Sequence, residues 1–99
     1  MSHGCHALGC NTPVPPRLHM CPGHWRRVPR SLQDALWAAY RPGQENDKQP
    51  SAEYLRAAAA CIRAVAEKED HPAEDIDFEC GLYLEWADML DPPAQGQLL

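Results

Sequence analysis

Three cysteines and one histidine lie near the start of the chain with the spacing Cys5-x4-Cys10-x10-Cys21-x2-His24. Thiolate and imidazole are the ligands of structural zinc sites, where four of them form a tetrahedron. The last two, Cys21 and His24, are close enough in sequence to hold one ion from a single turn of chain. The sequence therefore predicts a site for Zn²⁺ whose ligands are Cys5, Cys10, Cys21 and His24.

The choice of ligands has alternatives within the same segment. His3, His6 and His19 lie among the four residues, and any of them can replace one ligand; His6 is the first candidate because it adjoins Cys5. Disulfides or unrelated buried thiols are the other interpretation of the cysteines. The odd total of five cysteines and an opening segment unlike a secretory signal predict a reducing cytoplasm, where metal ligands are commoner than disulfides. Four protein ligands leave no place for water, so we expect a structural site.

A basic group of residues surrounds the predicted site. Trp25 directly follows His24 and lies among arginines, which is the combination that single-stranded nucleic acid or a phosphate backbone requires. Alternatively, Trp25 packs the metal-binding segment onto the rest of the protein, and the arginines are solvated. The predicted nucleic-acid-binding residues, called the arginine face below, are Arg17, Arg26, Arg27 and Arg30.

Charge is distributed unevenly along the chain. Residues 1–43 hold five arginines and one acid, and residues 44–99 hold four basic and thirteen acidic residues, so a net charge of −5 combines +4 with −9. The acidic half could hold magnesium, imitate a polyanion or dock on a basic protein. Acids near a helix start also stabilise the helix dipole. The predicted protein-binding residues are Glu74, Asp75, Asp77 and Glu79.

Motifs for catalysis are missing from the sequence. It contains no G-x-S-x-G, no H-E-x-x-H and no phosphate loop, and the zinc-deaminase pattern lacks its glutamate and its second cysteine pair. We therefore expect a protein that is not an enzyme.

Hydrophobic periodicity and capping residues predict three helices. Ser31 is expected to cap a helix over 32–40, Ser51 a helix over 52–68, and the break at His71-Pro72 precedes a helix over about 74–90. On the last helix one apolar face is expected to carry Ile76, Cys80, Tyr83, Ala87 and Leu90, with Leu82, Trp86 and Met89 beside it. The predicted fold is mainly α, with an N-terminal zinc knuckle packed on about three helices.

Five prolines within residues 1–30 exclude a long helix there, so these residues form the predicted knuckle and its exit loop. The helical region, 31–91, is expected to form a single compact domain with the knuckle, and 92–99 a flexible tail. A mean hydropathy of −0.52 and the short apolar runs predict no membrane association.

Three longer strings of residues resemble a known group of proteins. They are Met20-Cys21-Pro22-Gly23-His24-Trp25-Arg26-Arg27-Val28-Pro29, Leu32 to Gln44, and Pro50-Ser51-Ala52-Glu53-Tyr54-Leu55. Over roughly residues 5–65 the chain resembles small zinc-finger-like proteins of tailed phages and prophages, a group without an assigned activity. The resemblance matches Cys5, Cys10, Cys21 and His24 to the presumed ligand positions, and it ends before the acidic segment that follows His71.

Charge, metal site and resemblance together predict a non-enzymatic, zinc-stabilised phage accessory protein that acts by binding. One expected partner is nucleic acid or a host nucleoprotein complex on the arginine face. The alternative is an inhibitor or adaptor, for example against host defence, whose acidic C-terminal helices engage a basic host or phage protein.

Overall fold

A computed structural model describes residues 3–44 and 49–92 of the chain. Within these ranges it contains a two-stranded sheet and four helices, so the prediction of a mainly α fold is confirmed. The elements in chain order are β1 (His3–Gly4), β2 (Pro13–Val14), α1 (Pro22–Trp25), α2 (Arg30–Ala39), α3 (Ala52–Lys68) and α4 (Ala73–Leu90). Residues 45–48 of the predicted loop and all of the predicted tail except Pro92 lie outside the described residues.

The knuckle is built from short turns around the β1–β2 pair. The strands are antiparallel, with His3 opposite Val14. Between them the backbone N–H of Cys10 donates to the Ala7 carbonyl at 3.0 Å, and Gly9 occupies the third turn position with φ +80°. That backbone angle is one that glycine adopts without steric cost. The turn returns Cys10 towards the cysteine that precedes it.

Helix α2 begins two residues earlier than predicted, and the capping role assigned to Ser31 is wrong. Pro29 occupies the cap position with φ −55°, and its carbonyl accepts the N–H groups of Leu32 and Gln33 at 2.9 and 3.1 Å. Gln33 also donates from its side chain to the Trp25 and Val28 carbonyls, at 2.9 and 3.2 Å. Because proline presets a helical φ and these bonds fix the entering chain, Ser31 lies inside the first turn.

Helix α3 has the predicted bounds. The hydroxyl of Ser51 accepts the Tyr54 N–H at 3.0 Å, Glu53 lies in the first turn and Lys68 in the last, so both ends match the helix dipole. The interior is rich in alanine, which has the highest helix propensity and allows neighbouring helices to approach closely.

A left-handed residue closes α3 and turns the chain into α4. Asp70 has φ 60°, its N–H donates to the Glu67 carbonyl at 3.2 Å, and the His71 N–H donates to the Ala66 carbonyl at 3.1 Å. These two bonds define a Schellman motif, and aspartate tolerates the left-handed conformation better than most residues. The motif leaves Glu69 as the capping residue of α3.

The core is shared between the knuckle and the helices. Helix α3 lies in the middle, packed against α4 on one side and α2 on the other. Its fully buried residues include Leu55, Ile62 and Val65. The hydrophobic cluster that contains Ile62 and Val65 also contains knuckle residues such as Val14 and Met20. Cys61 and Cys80 are buried in this core. The knuckle is therefore part of the same packing unit as the helices.

Across the described ranges, no helix is long and apolar enough to cross a membrane.

The contrast between the two serines gives a test of the helix starts. Ser51→Ala removes the acceptor for the Tyr54 N–H, and we expect it to lower the free energy of unfolding by about 1 kcal/mol. Ser31→Ala is the control, because a serine inside a first helical turn loses no cap; we expect no loss, or a gain of under about 0.5 kcal/mol from helix propensity. Urea denaturation of both variants measures the difference, and equal losses would contradict the assignment.

Candidate metal centre

Four potential ligands converge at one point of the knuckle. The Sγ atoms of Cys5, Cys10 and Cys21 and a ring nitrogen of His24 all lie within 4.8 Å of one another. Nδ1 of His24 is 3.3 Å from the Cys21 sulfur and 3.8 Å from the Cys5 sulfur. A tetrahedral ion with sulfur at about 2.3 Å and nitrogen at about 2.0 Å separates such atoms by roughly 3.5 Å. The four residues are therefore close enough to hold one metal ion.

Each ligand is positioned by a different local feature. Cys5 follows β1, and the turn over 7–10 brings Cys10 beside it. Cys21 is the cap residue of α1, a single turn that starts with Pro22 and carries His24. Pro22 at the first helical position restricts the backbone at the point where Cys21 and His24 must face the same ion.

All five cysteines are free thiols, which excludes the disulfide interpretation for the conformation described. The Cys5 sulfur accepts two backbone N–H groups, from Cys21 at 3.2 Å and from Ala7 at 3.5 Å. Burial nevertheless raises the pKa of the Cys5 thiol to about 11. A bound cation would deprotonate the Cys5 thiol in spite of its raised pKa, because a coordinating thiol loses its proton outright. The backbone donors then stabilise the thiolate.

The other ligands are closer to ionisation. The Thr12 hydroxyl lowers the pKa of the Cys10 thiol to about 7, and the bond to the His24 backbone lowers that of Cys21. Burial works to lower the pKa of His24, but the Cys21 sulfur and the Glu69 carboxylate outweigh it and raise the pKa. Cys10 and Cys21 therefore ionise more easily than ordinary thiols, and they lie beside the imidazole of His24. This combination suits a divalent cation, because a metal binds the thiolate form of cysteine.

Glu69 holds the far side of the His24 ring. Its Oε2 lies 3.1 Å from Nε2 of His24 and also pairs with the guanidinium of Arg27, while its Oε1 lies 3.6 Å from Nε2 of His71. A metal bound at Nδ1 leaves the ring proton on Nε2, where it is donated to the carboxylate. Such outer carboxylates fix the orientation of a ligating histidine and increase its basicity. Glu69 thus connects the end of α3 to the cluster.

The three alternative histidines form a separate group. Their rings are stacked, with centroids 4.6 Å apart for His3 and His6 and 5.2 Å apart for His6 and His19, and Tyr83 meets the last two edge-on. Burial lowers the pKa of His6 to about 4 and that of His19 to about 3. Among the described residues, the four-residue cluster is the group whose ligand atoms converge, and it includes none of these histidines.

The arginine face is exposed but partly neutralised by acids. Arg27 pairs with Glu69, and its carbonyl accepts the Lys68 ammonium at 2.6 Å. Arg30 pairs with Asp34 at 3.1 Å. In the described part of the chain, Arg17 and Arg26 are the members of the arginine face without an ion pair. Trp25 is half-buried against the hydrophobic core, as the packing interpretation expects.

The four predicted protein-binding acids all lie on α4. Glu74 and Asp75 are exposed in its first turn, and Glu79 is half-buried. Asp77 pairs with Arg63 of α3 at 2.9 Å. This ion pair joins α4 to α3.

Leu90 lies at the end of the face that carries Ile76, Cys80 and Ala87 but is exposed, and α4 presents several apolar side chains to solvent. The exposed fraction is 70% for Phe78, 50% for Leu82, 41% for Trp86, 77% for Met89 and 52% for Leu90. Periodicity on this helix was ambiguous because apolar residues occur on opposite sides of it, and only packing against α3 selects the buried side. Nothing in the sequence pattern distinguishes Glu69 from the other acids of its segment.

No protein-family model, curated protein or solved structure matches this chain. The resemblance to zinc-finger-like proteins of tailed phages therefore stays a prediction.

The role of Glu69 is testable by an almost isosteric change. Glu69→Gln removes the carboxylate behind His24, and we expect metal affinity to fall about 10- to 100-fold. Glu67→Gln is the matched control, since this exposed glutamate lies on the same helix end outside the cluster. Competition with a chromogenic chelator measures both affinities. An unchanged affinity for Glu69→Gln would contradict a role in positioning the ligand.

Proposed function

We propose that this chain is a non-enzymatic binding protein in which a zinc-stabilised knuckle helps to hold α4 in place as a docking surface for a basic protein. Zinc is the metal best suited to three thiolates and one imidazole, because it accepts both ligand types in a tetrahedron. With all four positions filled by protein, such a site contributes stability and not chemistry.

The observation that carries the proposal is an apolar row on the outer face of α4. Phe78, Leu82, Trp86 and Met89, called the apolar row below, lie within about a quarter of the circumference of a helix with 3.6 residues per turn. The opposite face, with Ile76, is buried against α3. A helix that is apolar on two sides is normally covered on both, and an exposed apolar patch marks an interaction site.

Acids border the row and define the charge of the partner. On a helix with 3.6 residues per turn, Glu85 lies at one edge of the row and Glu79 at the other, whereas Asp77 and Asp88 lie further round and pair with Arg63 and Arg56 of α3. A second copy of this chain would be a poor partner. If two α4 helices packed antiparallel, the carboxylates of one would face those of the other, which is unfavourable. A partner whose apolar segment is flanked by lysine or arginine meets both the row and its edges. The phage resemblance favours a host or phage protein in a bacterial cytoplasm as that partner.

A second candidate function is nucleic-acid binding through the arginine face. It is favoured by the exposure of Arg17 and Arg26 next to the metal cluster, which would hold them in a fixed position. Ion pairs of Arg27 and Arg30 with acids reduce the positive charge of the rest of this face. For this reason we rank the apolar row first.

Two double variants separate these functions. Immobilised wild-type protein, Phe78→Ser with Met89→Ser, and Arg17→Glu with Arg26→Glu are exposed to the same bacterial lysate. We expect a protein that wild type and the arginine variant retain and that the apolar-row variant loses, because each serine removes a contact surface that is exposed in the free chain. A partner lost only by the arginine variant, with binding that weakens steeply in salt, would instead support nucleic-acid binding.

Zinc content is the test of the metal assignment. Purified protein should carry near-stoichiometric zinc. X-ray absorption spectroscopy at the zinc edge should report three sulfur neighbours at about 2.3 Å and one nitrogen neighbour. Cys21→Ser should lose the metal, whereas Cys61→Ala should keep it, because Cys61 lies in the core outside the cluster. Retention of zinc by Cys21→Ser, or another metal in the wild type, would contradict the proposal.

A further inference from the structure

A cavity of about 380 Å³ opens beside the apolar row, between the knuckle and α4. Its volume falls within the usual range of pockets that bind small ligands. Leu82 and Trp86 belong both to the apolar row and to the cavity wall. A partner lying on the row would therefore pass over the cavity entrance.

Ring side chains dominate the wall of this cavity. They are contributed by the knuckle, by α3 and by α4, and they are His3, His6, His19, Tyr54, Tyr83 and Trp86. Aromatic rings attract one another in offset-stacked or edge-to-face geometry beyond the effect of buried area alone. The stacked histidines already show this arrangement, with Tyr83 edge-on to them. Such a wall favours a flat ring over a branched aliphatic group.

The polar groups of the wall also restrict which ligands fit the cavity. Among the residues that the structure describes, its lining contains no aspartate, glutamate, lysine or arginine, and this part of the wall suits an uncharged group. His19 is 5% exposed, and its Nε2 is buried without a hydrogen-bond partner among the described residues. A buried polar atom without a partner is costly, and accepting from one N–H or O–H group of a ligand requires the His19 ring to shift so that this covered atom reaches the cavity.

From these observations we infer that the cavity binds a single uncharged aromatic ring with one polar atom, the chemistry of an indole or a phenol. The inference rests on the proposed function for the origin of the ring, which is a tryptophan or tyrosine side chain of the protein that covers the apolar row. Large aromatic side chains that enter a pocket near the middle of an interface commonly contribute much of its binding energy. The base of a nucleotide is disfavoured because the phosphate attached to that nucleotide would lie close to the acids of α4.

The probe for this site is N-acetyl-tryptophanamide, titrated into the full zinc-loaded chain and followed by NMR. We expect chemical-shift changes at His6, Tyr83 and Trp86, and weaker binding of N-acetyl-leucinamide. Trp86→Ala should weaken binding of the probe about two- to twelvefold, the effect of one aromatic contact. Trp37→Ala is the matched control: Trp37 is 40% exposed, as Trp86 is 41% exposed, but it lies outside this cavity.

The outcomes separate this inference from the proposed function. Equal effects of the two tryptophan variants, or shifts elsewhere on the surface, would overturn the cavity site. Tighter binding of adenosine than of the tryptophan probe would overturn it in favour of a nucleobase. A protein captured through the apolar row but unaffected by Trp86→Ala and by excess probe would leave the docking surface standing and reject the anchoring ring. Probe binding without any captured protein would reject the docking surface and support a site for a free aromatic molecule.

Discussion

The convergence of three sulfurs and one imidazole nitrogen is the constraint on which the knuckle depends. Helix α1 is a single turn and the strands are two residues each, so few backbone hydrogen bonds hold this segment. The same segment nevertheless contributes Val14 and Met20 to the core that α3 organises. An ion at the cluster would join Cys5, Cys10 and the α1 turn, and would thereby hold one wall of the core. Metal binding and folding are coupled in such a segment.

Glu69 links the metal cluster to the end of α3. The Schellman motif that ends α3 places this carboxylate at the helix terminus, within hydrogen-bond distance of the His24 ring and paired with Arg27. One residue thus satisfies a ligand of the cluster, neutralises part of the arginine face and closes a helix. The number of arginines alone does not give the positive charge of the arginine face, because the charge available to a partner depends on which arginines are already paired.

The cavity exists because the knuckle and α4 do not close completely on α3. His6 and His19 come from the knuckle, and Trp86 comes from the last helix, so the wall requires the complete tertiary structure. Its position next to the apolar row gives the protein two adjacent features that a single partner can use. Acidic edges would supply orientation and association rate, while burial of apolar side chains would supply affinity.

Capping hydroxyls, helix propensity and ligand spacing are local properties, so the helical class, the bounds of α3 and the four converging residues were predictable from the residues alone. Ser31 was misassigned because Pro29 and the Gln33 side chain, through contacts across several residues, start α2 earlier. Only tertiary structure decided which side of α4 is buried, since its apolar residues occur on opposite faces and α3 covers one of them. It also selected Glu69 from many acids and gathered His3, His6 and His19 away from the metal cluster, because distance in space, unlike spacing in sequence, depends on how the helices pack.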